Sequence, residues 1–224
     1  MDFFETVAQH RGGYILRPDL LDLGVSDREI KAALKQNLIV RLRVGTYAPQ
    51  SATSLTPEER HRLLAFSVLD KLPSDAVLTH GSAAVVHTGV SYGIDLSHVD
   101  VTRPDRHGTA RTEANVVHHG GLLPVEDIVE IDGRRVIVPA RAALETASVA
   151  GTEAGLVQTS YVLRGGVDPD ELTERLDRMA RWPGIAKVRL SVLWAAPECE
   201  SVGELRSVYM FRMGRLPIPR IQVE

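Results

Sequence analysis

Arg28, Lys31 and Lys35 recur at helical spacing in residues 26–38. At about 100° per residue they fall within about 60° of one another around a helix. Ala32 and Gln36 flank them, while Ile30, Leu34 and Leu38 lie on another side and can pack inward. Arg41 and Arg43 follow in a short alternating stretch, so residues 28–43 hold five basic side chains against one acid, Glu29. Such a face suits the major groove of a duplex. Arginine and glutamine can bond base edges, and lysine mostly meets phosphate. The two later arginines would straddle the adjacent backbone or minor groove, and Thr46 completes the set of candidate contacts. The same layout also serves for docking on protein, and a cationic outer face can be simply solvated.

The remaining chemistry-bearing residues point elsewhere. Of the eight histidines, none stands in a His-Glu-x-x-His arrangement, and His118-His119 in a strand would face opposite ways. Structural roles are expected for them. Thr79-His80-Gly81-Ser82 pairs a serine with a histidine but lacks a Gly-x-Ser-x-Gly elbow. There is no phosphate loop and no Gly-x-Gly-x-x-Gly fingerprint. We therefore expect no catalytic residue, no metal and no cofactor. Arg134-Arg135 reads as a solvated turn after Asp132-Gly133. Arg103, Arg106, His107 and Arg111 form a second basic patch in a Pro/Gly-containing loop, open to an acidic partner or to solvent alone.

The elements that must position the first face are legible. Phe3, Phe4 and Val7 mark a short helix that Gly12-Gly13 ends. Tyr14-Ile15-Leu16 is a short strand, and Pro18 opens a second helix over 18–23 that stops at Gly24. Ser26-Asp27-Arg28-Glu29 is a capping box for a third helix running to about residue 38. Residues 39–48 alternate and break at Gly45, a two-stranded hairpin. Helix, strand, helix, helix, hairpin is the order of a winged helix-turn-helix, placed at 1–49.

A Ser/Thr/Pro linker is expected at 50–56, then a helix capped by Thr56-Pro57-Glu58-Glu59. Residues 57–198 form the second domain, mixed to about 139 and helical afterwards. Strands are predicted at 76–79, 98–102 and 115–119, with a short helix at 82–87. Asp132-Gly133 makes a hairpin between Ile128-Val129-Glu130-Ile131 and Val136-Ile137-Val138. Helices follow at about 139–149, 152–164, 168–182, 184–195 and 201–213. The fold class is α+β: an N-terminal winged helix-turn-helix, a mixed α/β domain and a helical C-terminal region.

Composition sets outer bounds. The chain has 224 residues, 26 Lys+Arg against 29 Asp+Glu, and a formal charge of −3, so a basic footprint must be local. At 44% hydrophobic and 25% charged it reads as an ordinary globular protein. No apolar run approaches the ~18 residues of a membrane span. The acidic Met1-Asp2-Phe3-Phe4-Glu5 start is unlike a signal peptide. Cys199 is the single cysteine, which excludes an intrachain disulfide framework and makes the cytoplasm the expected location.

Several motifs in order resemble the AbiEi-like family of antitoxins and transcriptional regulators. Gly13-Tyr14-Ile15-Leu16-Arg17-Pro18-Asp19-Leu20-Leu21, Gly24-Val25-Ser26 and Val44-Gly45-Thr46-Tyr47-Ala48 are similar to its N-terminal winged helix. Leu78-Thr79-His80-Gly81-Ser82-Ala83-Ala84, Val99-Asp100-Val101-Thr102 and Ile137-Val138-Pro139-Ala140-Arg141-Ala142-Ala143-Leu144 are similar to landmarks of its second domain. The resemblance implies binding to inverted repeats in the operon's own promoter, by a type IV abortive-infection antitoxin that opposes a nucleotidyltransferase-like toxin. A homodimer on DNA is compatible with two-fold repeats. DNA contact would then fall on Arg28, Lys31, Lys35, Arg41 and Arg43. Residues 199–224 resemble the start of a Vsr-like endonuclease fold, with Glu204 at the place of an early metal-binding glutamate. The later acids of such a site are missing, and Glu204 also fits a helix cap, so no nuclease activity is expected of these residues.

Overall fold

The computed structural model describes residues 2–103 and 110–218. It is α+β. The N-terminal block comprises α1 (Phe3–Gln9), β1 (Ile15–Leu16), α2 (Arg17–Asp22), α3 (Asp27–Lys35), β2 (Ile39–Arg43) and β3 (Thr46–Pro49). Its sheet has the order β1-β3-β2, antiparallel throughout. The two-residue strand after the first helix thus closes on the far strand of the hairpin, as in a winged helix.

Local chemistry explains α3. The Glu29 N–H donates to Ser26 Oγ at 3.3 Å, and Ser26 N–H donates to Glu29 Oε2 at 2.8 Å. These two bonds satisfy amides that a helix start leaves unpaired. At the other end Asn37 takes φ 55°, so Leu38 N–H reaches the Ala33 carbonyl and Asn37 N–H reaches that of Leu34. This left-handed closure ends the helix at Lys35, short of the expected residue 38, and leaves Leu38 exposed.

The three-stranded sheet is buried on both faces. Alternation sends Ile15 and Tyr47 into a small core with Val7, Leu20, Ile30 and Ile39. The intervening residues Tyr14, Leu16 and Ala48 enter a larger core with Leu63, Phe66, Val77 and Leu78. The expected linker is consequently part of the fold. Gln50–Ser54 forms a 3-10 turn with Ala52 buried, and one apolar cluster runs across the junction.

That larger core lies under α4 (Pro57–Leu69) and a six-stranded sheet. Its strands are β4 (Val77–Leu78), β5 (Val99–Thr102), β6 (Arg111–Glu113), β7 (Val116–His119), β8 (Ile128–Ile131) and β9 (Arg134–Ile137), and α5 (His80–Thr88) follows β4. The order is β6-β7-β5-β4-β9-β8, with β5/β7 and β4/β9 parallel. β6 lies where a loop is expected. Its Arg111 is exposed and pairs with Glu113 at 3.4 Å, while Arg106 and His107 fall outside the described residues.

Helices α6 (Pro139–Ala150), α7 (Thr152–Arg164), α8 (Pro169–Arg178), α9 (Ile185–Leu193) and α10 (Val202–Met213) complete the chain. Leu205 and Val208 of α10 pack with Leu156 and Val157 of α7 around buried Cys199. Glu204 serves this helix start: its carboxylate accepts the Glu200 N–H at 2.7 Å, and its own N–H donates to Ser201 Oγ. Among the described residues, no helix is long and apolar enough to cross a membrane.

Candidate nucleic-acid interface

α3 projects Arg28, Lys31, Lys35 and Gln36 outward, with Ala32 half-buried between them. None of the three cations makes an ion pair or hydrogen bond among the described residues. Both acids of the helix are occupied. Asp27 receives Arg17 at 2.8 and 2.6 Å, which pulls its carboxyl below the ordinary range. Glu29 is likewise lowered by its bonds to Ser26. The outward face therefore keeps an uncompensated positive charge.

The hairpin divides the remaining candidates. Arg41 is exposed and makes no bond among the described residues. The pairing then slips: Arg41 stands opposite Tyr47 and Arg43 opposite Thr46, leaving Leu42 as the extra residue of a bulge. Beyond the bulge Arg43 is half-buried, donates to the Ala114 carbonyl at 3.4 Å, and has its pKa lowered by desolvation. Its expected place beside the backbone of a duplex is not the one it occupies.

Thr46 requires a plain correction. It is 0% exposed, and its hydroxyl accepts a 2.7 Å hydrogen bond from Lys71 Nζ. Lys71 also donates to the carbonyls of Val44 and Gly45 at 3.3 and 3.0 Å. The root of the wing is thus tied to the end of α4, and Thr46 cannot touch a duplex.

A second set of contacts fixes how the N-terminal block sits on the body. Arg11 forms a bidentate pair with Asp19, both bonds 2.6 Å, and reaches Asp70 at 2.9 Å. The Tyr14 hydroxyl donates to Asp70 at 2.6 Å, and Arg134 donates to both oxygens of Asp70 and to the Tyr14 oxygen. Arg134 is therefore not a solvated turn residue: its side chain is 14% exposed. Its neighbour Arg135 is half-buried and donates to the Asp75 carbonyl at 3.2 Å.

Residues 4–50 match the family model described as "Transcriptional regulator, AbiEi antitoxin". The N-terminal block is thus similar to AbiEi regulators over those residues. No curated protein matches the chain. The match runs from the second residue of α1 to the first of the 3-10 turn.

Beyond the AbiEi-matched block lies a buried polar centre. His61 and Ser82 approach to 3.0 Å, with His61 Nδ1 against the Leu96 carbonyl. That carbonyl can only accept, so Nδ1 carries the proton and Nε2 accepts from the serine hydroxyl. Both residues are buried, with no carboxylate bonded to the imidazole, so the pair is a packed hydrogen bond and not an exposed nucleophile. His80, at φ 50°, stacks on His119 with ring centres 3.8 Å apart. Asp100 accepts from His119 at 2.9 Å, and Glu145 receives the His80 N–H and the Arg141 guanidinium. Asp127 bridges Arg141 and Arg175. This centre ties α5, β5, β7, α6 and α8 together. No group of histidines, cysteines or acids suited to a metal occurs among the described residues.

The sequence reading missed Arg11, Tyr14 and Asp70 as an assembly. Asp70 lies more than fifty residues from the other two, and each residue type is unremarked where it stands.

Proposed function

We propose that the chain is the DNA-binding antitoxin of a type IV abortive-infection system. On this reading α3 enters the major groove of inverted repeats in its own promoter and represses the operon. The body opposes a nucleotidyltransferase-like toxin, without catalysis by this chain, in the cytoplasm. Arg28, Lys31, Lys35 and Gln36 face the groove and Arg41 the flanking phosphates, while Arg43 and Thr46 hold the wing to the body. Two copies meet on a two-fold site. The observation that carries the reading is the outward face of α3, whose cations are unpaired while both acids of the helix are occupied, on a block that matches an AbiEi regulator.

Gel-shift titration against the upstream promoter duplex tests it. The Arg28→Ala/Lys31→Ala/Lys35→Ala variant should lose most affinity. Each phosphate-contacting lysine removed should flatten the salt slope by about one. Affinity unchanged in that variant would refute the assignment of α3. The same variant should still neutralise the toxin in cells, since it leaves the body intact.

A further inference from the structure

A cleft of about 660 Å³ lies at the seam between the wing and the body. Its size is that of a small-molecule site, about 300–1,000 Å³. Val40 and Leu42 of β2 form one wall, and Leu55, Leu64 and Leu96 form the other. All five are only half-buried, so the edge of the main core stays wet along this line.

The polar groups around the cleft are selective by what they have left to give. Both ring nitrogens of His61 are taken by Leu96 and Ser82, and the Thr53 hydroxyl donates to the Gln50 carbonyl. Arg41 has no partner among the described residues, and Arg60 has a single long contact of 3.4 Å to the Ala52 carbonyl. No acid lines the cleft, and the nearby Glu58 and Glu59 are held by Ser91 and Thr56. A sugar or nucleoside would find few hydrogen-bond partners here. A flat base would find no Phe, Tyr or Trp to stack on, and the one ring of the lining, that of His61, is buried. A saturated chain with one anionic end satisfies every group present.

We propose that this cleft binds an alkyl carboxylate of about ten to twelve carbons, its chain along Val40, Leu42, Leu55 and Leu64 and its head on Arg41 and Arg60. Because Arg41 would be shared with DNA, the bound carboxylate acts as an inducer. That second step rests on the DNA-binding reading, whereas the binding itself does not.

Calorimetric titration of the intact chain with dodecanoate, below its micelle concentration, tests the site. Saturable one-to-one binding is expected. Hexanoate should bind more than about a hundredfold more weakly, and dodecyltrimethylammonium should not bind. Arg60→Glu, at an exposed position, should weaken dodecanoate by about tenfold with an unchanged melting temperature, and Arg60→Lys should recover part of that. Equal uptake of the cationic and anionic chains, indifference to Arg60→Glu, or no saturable binding would each overturn the proposal. Saturating dodecanoate should also weaken the promoter duplex by at least about fivefold. If dodecanoate binds but no duplex does, the cleft stands and the DNA reading fails. If the duplex binds and dodecanoate does not, the cleft proposal fails alone. If both bind independently, the inducer role is wrong.

Discussion

Asp70 at the end of α4 and Arg134 at the start of β9 meet through two hydrogen bonds of 3.0 and 3.1 Å, 64 residues apart in the chain. Tyr14 and Arg11 of the winged helix join the same carboxylate. One acid on the body thus holds the N-terminal block by two of its side chains. Against its own burial, the bonds from Arg134, Tyr14 and Arg11 lower the Asp70 carboxyl, while burial first and then Asp70 raise the Tyr14 hydroxyl.

Asp70→Ala should therefore cost about 2–4 kcal/mol, because it takes the carboxylate from the Arg134 guanidinium and the acceptor from the Tyr14 hydroxyl in a half-buried site, while Arg11 keeps Asp19. Urea unfolding checks this, and a change below about 0.5 kcal/mol would mean that water replaces the carboxylate without loss.

Acid should weaken the fold before the carboxylates titrate. Burial lowers the pKa of His61, His80 and His87. A base held neutral in the folded state contributes stability that is whole above the unfolded value of about 6.5. It is lost as pH falls from there toward the lower folded value, at up to about 1.4 kcal/mol per pH unit for each group. The urea midpoint should thus drop between pH 7.5 and 5.5, and His87→Gln should shallow that drop. A midpoint flat across this window would contradict the assignment.

The two wing arginines should separate in DNA titrations. Arg41→Ala is expected to weaken every duplex and flatten the salt slope by about one. Arg43→Ala should leave the slope alone, since that guanidinium is directed at the Ala114 carbonyl. Equal slopes for both variants would restore Arg43 to the interface.

Much of this placement is legible in the sequence. The Ser26/Glu29 box and the Asp132-Gly133 turn are signals carried within four residues, and both elements form where those signals stand. The outward face of α3 follows from its period alone. What failed to show depended on distance or on a single-residue slip. The bulge at Leu42 shifts the alternation by one and turns Arg43 inward. The polarity of residues 50–54 concealed a backbone that buries Ala52. Arg134 looked solvated because its acid lies far away along the chain.

Lys71→Met should loosen the wing without unfolding the body. It removes the three bonds from Nζ to Val44, Gly45 and Thr46, leaving a fully buried hydroxyl without its donor. A cost of about 1–3 kcal/mol is expected. Amide exchange at Gly45 and Thr46 should accelerate while that of β4 and β5 stays slow. Uniform acceleration across both sheets would show that the wing and body open as one unit.

On the proposed DNA-binding reading, the sheet that feeds both cores constrains the spacing of the two half-sites. With Ile15 and Tyr47 on one side and Tyr14 and Ala48 on the other, the head has no slack tether on which to swing. Paired copies would span their target like a fixed calliper. Inserting half a turn of DNA between the repeats should then abolish joint occupancy instead of merely weakening it.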